Sequence, residues 1–536
     1  MKRRIWLAAW LLAMATAFGL YLLTVITEAQ RPPEPEWSRP LILDTLEGLS
    51  AYELRSNDGI AVAADAAGAR IFYQAPQKGL LTVAVDRDGK AADPIVLDAG
   101  FGPADRLMAY EEDGALFLAA LQERRLNRYR LEGDAPTLSR TEPLMDIRDF
   151  DRHAGRWLAQ TEDSVFFSHE GGETTLAADC QRARWVPGAA PQACLVVTQA
   201  GRKVLQFAAL TGSTVSILQE WPLPADAQTA VGALAPYAGE NITGALVELK
   251  DYKTGRVRVV DYRLTPTPQE RELISGDGEM NPVVLGIRQG SLQLLLTQEQ
   301  RKGDDQSVRN IRRVLWDGAR LTPQGFVTRT DALSIPVAGW TAGQWQYVLS
   351  TDLSGDAKRL MLSGDAPQLR AQTAPLSREE LEALLPGAVM TLLPATMVGL
   401  FPAVYILMPV LSVLFAVSAF NLSWAERNSR LLLRLALGGH LLAKVLFAYT
   451  RVLFNGSIPD MATQLPWYLN SPVAMALTLL VSTAAAWGIA QLRNPARAPG
   501  DFWAPYMQFA LIDLSLFILL VMPYYYAYVG LPVFFR

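Results

Sequence analysis

The sequence predicts a multi-domain membrane protein in which an all-β extracytoplasmic domain, read as a seven-bladed β-propeller, is joined to an α-helical transmembrane bundle. Three observations predict it. Half of the 536 residues are apolar and only 19% are charged, which excludes a disordered chain and argues against a wholly soluble one. The apolar residues are concentrated in Ile5–Thr27 and from Leu384 onward. Between them, short runs rich in Val, Leu, Ile, Phe and Tyr alternate with Gly, Asp and Pro turns, the pattern of strands joined by hairpins.

The first element follows Lys2, Arg3 and Arg4 and contains no charged side chain from Ile5 to Thr27. At about 1.5 Å per residue such a helix crosses a hydrocarbon core of about 30 Å. It is longer than the apolar core of a signal peptide, typically about 7 to 15 residues, so residues 1–36 are read as an uncleaved anchor and linker. The basic cluster stays in the cytoplasm and sends the following chain outward.

Residues 37–370 form the β-rich region. Strand, polar turn and second strand recur at Leu81–Leu97 around Asp88 and Gly89, Leu116–Leu138 around Gly133 and Asp134, Val257–Ile274 around Thr265 and Pro266, and Val314–Val327 around Asp317 and Gly318. Grouped with the strand pairs before them, they give seven segments starting near Leu49, Asp105, Ile147, Arg182, Thr229, Met280 and Leu333. That spacing suits four-stranded blades of about 40 to 50 residues. Leu41, Ile42 and Leu43 are placed to return as the outer strand of the last blade and close the ring. One or two β-sandwiches are the alternative.

Residues 371–387 read as an amphipathic juxtamembrane connector, with Ser377 and Glu380 as a capping box and Leu381, Leu384 and Leu385 as its apolar stripe. Residues 388–536 then make four spans. The first is interrupted by Pro394, Pro402 and Pro409 and ends at the basic turn after Trp424; the others are Leu431–Phe454, Pro472–Leu492 and Phe502 to about Val529. Arg427, Arg430, Arg493 and Arg497 mark cytoplasmic turns, and Tyr524, Tyr525, Tyr526 and Tyr528 an interfacial aromatic belt. The expected localisation is the cytoplasmic (inner) membrane, multi-pass, N-terminus inside.

Residues 37–385 hold 37 basic and 46 acidic side chains, net −9. An acidic outer domain offers no footprint for nucleic acid. Its expected partners are proteins or a small ligand, with the lipid bilayer as the partner of the helices.

The chemistry-bearing residues are few. His153, His169 and His440 are the three histidines, none at zinc-motif spacing, so neither a metal nor a cofactor is expected. Asp86, Asp88 and Gly89 match the start of a calcium loop, but position 97 is Leu where that loop requires Glu, which leaves a hairpin turn. The pairs Glu111, Glu112 and Asp304, Asp305 read as solvated turns. Cys180 and Cys194 are the two cysteines; outside the cytoplasm they predict a disulfide closing a local loop, worth about 3 kcal/mol in the chain-entropy model.

Inside the apolar segments, Lys444 and Asp513 fall near mid-depth on two helices running in the same direction, and His440 precedes Lys444 by one helical turn. An isolated charge there costs at least about 2.5 to 3.5 kcal/mol, so the two are expected to pair. Arg434 and Arg451 sit near opposite ends and can extend to the interfaces.

Anchor, large outer domain and C-terminal bundle together give a layout similar to that of Gram-negative YidC-type membrane insertases. The turn Ala425–Arg430 is too short for the cytoplasmic helical hairpin of such proteins, so the similarity is one of layout. The sequence predicts a non-enzymatic binding, sensing or scaffold subunit of a membrane complex. Two alternatives stay open: a transporter or insertase-like component that uses the Lys444, Asp513 and His440 group, and a propeller enzyme acting on envelope glycans.

Overall fold

The computed structural model describes residues 2–529 apart from 51–52, 55, 133–136, 141–145, 170–171, 189, 225–228, 266, 289, 302–306, 331, 355–356, 454–464 and 494–500. They fall into two compact units, one built mainly from Pro32–Gln300 and Val308–Pro375, the other from Met1–Arg31 and Leu376–Arg536.

The first unit is a seven-bladed β-propeller. Six antiparallel four-stranded sheets follow the chain in order at 60–98, 106–140, 149–178, 180–222, 229–277 and 283–326. The seventh takes three strands from 333–364 and its outermost strand from β1 (Leu41–Leu46), which pairs with Ala357–Gly364. The N-terminal strand therefore closes the ring, and radial repetition leaves only short outer edges. Gly133 and Asp134, at the expected turn of blade 2, lie outside the described residues, as do Pro266, Asp304 and Asp305.

Strand periodicity explains the core. Successive side chains point to opposite faces of a blade, so in Gly68–Ala75 the fully buried Ile71 and Tyr73 pack with Trp340 and Leu349 of blade 7, while Phe72 packs with Leu107 and Leu118 of blade 2. Burying each such side chain is worth about 1.5 to 3 kcal/mol. Both faces of the sheet are interior, which is why these strands read as continuous apolar runs.

Polar residues toward the end of a blade's second strand tie it to the next blade. Gln74 donates to the carbonyl of Gly102 and accepts from the amide of Ala104. Gln160 donates to the Cys180 carbonyl, Glu248 accepts from the amides of Met280 and Asn281, Thr297 donates to Ser334, and Thr351 donates to Asn57. Among the described residues five of the seven seams carry such a bond, each satisfying a backbone or polar group at the start of the following blade.

Asp86, Asp88 and Gly89 form a hairpin turn. The Asp86 carboxylate accepts from the amides of Asp88 at 3.0 Å and Lys90 at 2.8 Å. Gly89 adopts φ +89°, and a Cβ there would approach Leu369 Cβ to 2.9 Å and Tyr347 to 3.0 Å. Glycine alone meets both demands.

The second unit contains α1 (Lys2–Ala29), α3 (Arg378–Phe420), α5 (Ser429–Phe447), α6 (Pro472–Arg493) and α7 (Trp503–Val529), with short α4 (Leu422–Arg427) between α3 and α5. Short α2 (Pro367–Thr373) belongs to the propeller unit. Among the described residues five helices are long and apolar enough to cross a membrane. They alternate in direction. Tyr21, late in α1, donates to the carbonyl of Ala388, early in α3. Tyr405 stacks on Phe447 while Val410 lies at Gly439, which sets α3 against α5. His440 meets Phe509 and Phe447 meets Phe517, so α5 and α7 run parallel.

Two expectations are corrected here. The capping box at Ser377 and Glu380 is present, but it opens α3 itself, one helix of 43 residues that continues through Pro386, Pro394, Pro402 and Pro409; no separate connector helix breaks at Pro386. A span surrounded by apolar side chains has no water to take its backbone groups, which favours continued helix even where proline removes a donor. Tyr524 is not part of an outward belt: its ring lies against Tyr21 and its hydroxyl accepts from Tyr468 at 2.9 Å, inside the bundle. The side chains of Tyr525, Tyr526 and Tyr528 lie outside the described residues.

Candidate functional site

Helices α5, α6 and α7 bring the polar residues of the bundle to one point. Lys444 Nζ lies 2.8 Å from Asp513 Oδ1 and 3.0 Å from Oδ2. It also donates to the hydroxyls of Ser482 and Thr483, each at 3.0 Å. Nε2 of His440 lies 2.9 Å from Asp513 Oδ2, and Nδ1 lies 3.3 Å from the Tyr506 hydroxyl. His440, Lys444, Asp513 and Tyr506 have no exposed surface at all.

Helical spacing produces this convergence. His440 and Lys444 are one turn apart on α5, Tyr506 and Asp513 two turns apart on α7, so each pair shares a face. An ionised carboxylate only accepts, so the Nε2 of His440 carries the hydrogen and its Nδ1 takes the Tyr506 O–H. The three hydrogens of the ammonium are distributed over four acceptors. One positive and one negative charge cancel, and Phe509 and Phe517 close the site against the ring of His440 and the ammonium of Lys444. The arrangement resembles a closed electrostatic clasp between three helices, without room left at the ammonium for a further ligand.

Sequence reasoning identified His440, Lys444 and Asp513 but not Ser482, Thr483 and Tyr506. The signal for the first two is a pair of adjacent hydroxyls midway along the largely apolar α6; for Tyr506 it is the seven-residue interval before Asp513. Arg434 is exposed, and the side chain of Arg451 lies outside the described residues.

In the propeller the cysteine expectation is corrected. Cys180 and Cys194 are free and buried. Cys180 pairs with Val197 and Cys194 with Arg184, so the thiols are three residues apart along adjacent strands, about 10 Å, beyond disulfide reach. An odd offset also puts them on opposite faces: Cys194 packs with Phe207 and Tyr262, Cys180 with Trp185 and Phe167. Burial pushes the Cys180 thiol up to about 12 and raises that of Cys194 well above the ordinary value.

Glu112 is not a solvated turn residue. Arg128 and Arg152 both bridge its carboxylate, and the Arg152 guanidinium lies 3.8 Å from the ring centre of Tyr110. Glu111 is exposed. His153 Nε2 is bound to the Gly188 carbonyl at 2.7 Å, and the side chain of His169 lies outside the described residues. Among the described residues no group of three or more His, Cys, Asp or Glu side chains is arranged to hold a metal ion.

No family model and no curated protein matches the chain. Among solved structures, a protein from Lactobacillus plantarum is similar at 13% identity and TM-score 0.36 over 51% of this chain and 85% of that one. The sialidase of Trypanosoma rangeli, solved with 2,3-difluorosialic acid, is similar at 9% identity and TM-score 0.34 over 64% and 60%. The extracellular domain of the hybrid two-component system BT4673 from B. thetaiotaomicron is similar at 11% identity and TM-score 0.36 over 60% and 39%. The chain contains a seven-bladed β-propeller that follows one long apolar helix and precedes four more among the described residues.

Proposed function

We propose that the chain is a multi-pass protein of the cytoplasmic membrane whose propeller stands outside the cytoplasm and serves as the binding or sensing subunit of a membrane complex. The observation that carries this reading is the closure of the Lys444, Asp513 and His440 group. It is fully buried, hydrogen-bonded on every side and neutral in sum, as suits a device that registers helices rather than one that carries cargo.

Orientation follows from charge. With alternating helices, Lys2, Arg3 and Arg4 lie at the same end of the bundle as Arg427, at the end of α4, and Arg430, in the first turn of α5. Basic residues favour the cytoplasmic side, so the end where α1 finishes and α3 begins faces outward, and the propeller is inserted between those two helices. Protease added to the outer face of spheroplasts is expected to cut the propeller and to spare it in inverted vesicles; the reverse pattern sinks the reading.

The π-helical segment Ala448–Leu453, directly after α5, favours a second reading, because such segments are frequent at functional sites. In it the same cluster relays protons. Asp513→Asn would then abolish proton flux in proteoliposomes while the wild type conducts; no flux in either leaves the first reading standing.

A further inference from the structure

A cavity of about 330 Å³ opens in the propeller where the innermost strands of blades 2, 3 and 4 begin. Its lining is almost wholly polar. Asp149 is shared between two guanidinium groups, Arg184 at 2.7 Å and Arg106. Burial alone would raise the Asp149 carboxyl, but Arg184 and Arg106 outweigh it and hold the group below its ordinary value. One carboxylate between two guanidinium groups leaves a positive charge at that point, with the carboxylates of Asp58 and Asp105 elsewhere on the same lining.

Arg182 adds another. It stands two residues before Arg184 on the same strand, faces the same cavity, and makes no ion pair among the described residues. Burial lowers its guanidinium and the neighbouring Arg184 lowers it further, against the opposing pull of Asp149 and Asp58. Gln160 lines the same cavity. Its Nε2 is held by the Cys180 carbonyl, so the orientation of the amide is set, and its buried Oε1 has no partner although the residue is only 8% exposed. Asp58 and Asp105, exposed at the rim, are further acceptors.

We propose that this cavity binds a small carboxylate that also carries hydrogen-bond donors, its carboxylate taken by Arg182 and a hydroxyl or ammonium donating to the exposed carboxylates of Asp58 and Asp105. Guanidinium groups match the planar carboxylate with paired bonds. The volume is at the lower end of small-ligand sites, and the polar lining suits a hydrophilic ligand rather than an apolar one. Phosphate supplies charge with few donors, which the carboxylates of Asp58 and Asp105 disfavour. The inference rests on the reading of the propeller as the binding domain.

The test is calorimetric titration of the full-length protein in detergent with gluconate, L-alanine, acetate and inorganic phosphate. Gluconate or L-alanine is expected to bind at least tenfold more tightly than acetate or phosphate, and which of the two binds tells whether the donor is hydroxyl or ammonium. Arg182→Met is expected to weaken that binding at least tenfold with an unchanged thermal midpoint, and Asp58→Asn with Asp105→Asn to narrow the gap over acetate. If Arg182→Met unfolds the protein, Arg182→Lys, which keeps the charge but not the fork, is expected to weaken binding severalfold. Binding to none of the four by folded wild-type protein, undiminished binding by folded Arg182 variants, or tighter binding of phosphate overturns the proposal. Protease accessibility of the propeller reports separately on the reading beneath it.

Discussion

Asp513 receives both Lys444, at 2.8 Å, and His440, at 2.9 Å, on a carboxylate with no exposed surface. Removing one member of such a pair strands the other charge in a dry interior and costs about 3 to 5 kcal/mol, whereas replacing both with apolar groups of similar volume is often neutral or stabilising. Asp513→Leu alone is therefore expected to lower the thermal midpoint of the detergent-solubilised protein markedly. The double variant Lys444→Met with Asp513→Leu should recover most of that loss. Equal loss in single and double variants would show that the charges do more than neutralise each other.

The cysteines give a prediction of the opposite kind, since no bond joins them. Reductant should leave the thermal midpoint unchanged, and non-reducing mass analysis should find two free thiols. Because burial raises both thiols and the thiolate is the reactive species, maleimide at pH 7 should label them only on unfolding. A midpoint lowered by reductant would restore the disulfide.

The seam residues can be tested at Glu248, which is 3% exposed and accepts from Asn281 at 2.8 Å and Met280 at 3.1 Å. Glu248→Leu leaves two buried amide groups without acceptors, at about 1 to 3 kcal/mol each, while Glu248→Gln keeps an acceptor oxygen and should cost much less. Burial is the largest cause raising the Glu248 carboxyl. A raised acid in the folded state contributes stability that is complete below its unfolded value near 4.5 and is lost as pH rises through the folded one. Glu248→Gln should remove that acid-side contribution, seen as a flatter midpoint against pH in the mildly acidic range.

The legible and illegible parts of the molecule differ for a physical reason. Blade starts near Asp105, Ile147, Thr229 and Leu333 were readable because a hairpin turn needs local residues such as Asp88 and Gly89, and local needs leave local marks. Ring closure by Leu41–Leu46 was readable because the last blade of a ring needs a partner for its outer edge. The seams were not: Gln74, Gln160, Glu248, Thr297 and Thr351 bond to residues about 20 to 300 positions away, although a polar residue after a three-residue apolar run, as in Ile71 to Gln74 or Leu294 to Thr297, is a mark that could be sought. In the bundle the pairing of Lys444 with Asp513 followed from the high cost of burying either alone, while Tyr506, a neutral side chain, carries no such cost and is marked only by its seven-residue interval before Asp513. The disulfide failed because closeness in sequence does not decide which face of a strand a thiol occupies.

Lys358 offers an alkaline test. Its side chain is 3% exposed, and Nζ donates to the carbonyls of Ser56 and, at 3.1 Å, Glu53. Burial pushes its ammonium down from 10.5 to about 8, against the opposing pull of Asp58 and Glu53. Between those two values the unfolded chain binds a proton that the folded chain does not, so stability rises with pH; the contribution is complete above the unfolded value and is lost as pH falls through the folded one. One pH unit of separation is worth about 1.4 kcal/mol, which sets a ceiling of about 3 kcal/mol. Measured as the difference between wild type and Lys358→Met, stability should therefore shift in favour of wild type by about 2 kcal/mol between pH 7 and pH 9.5. A difference that stays flat or falls over that interval would mean that the two carbonyls hold the ammonium charged in the folded state.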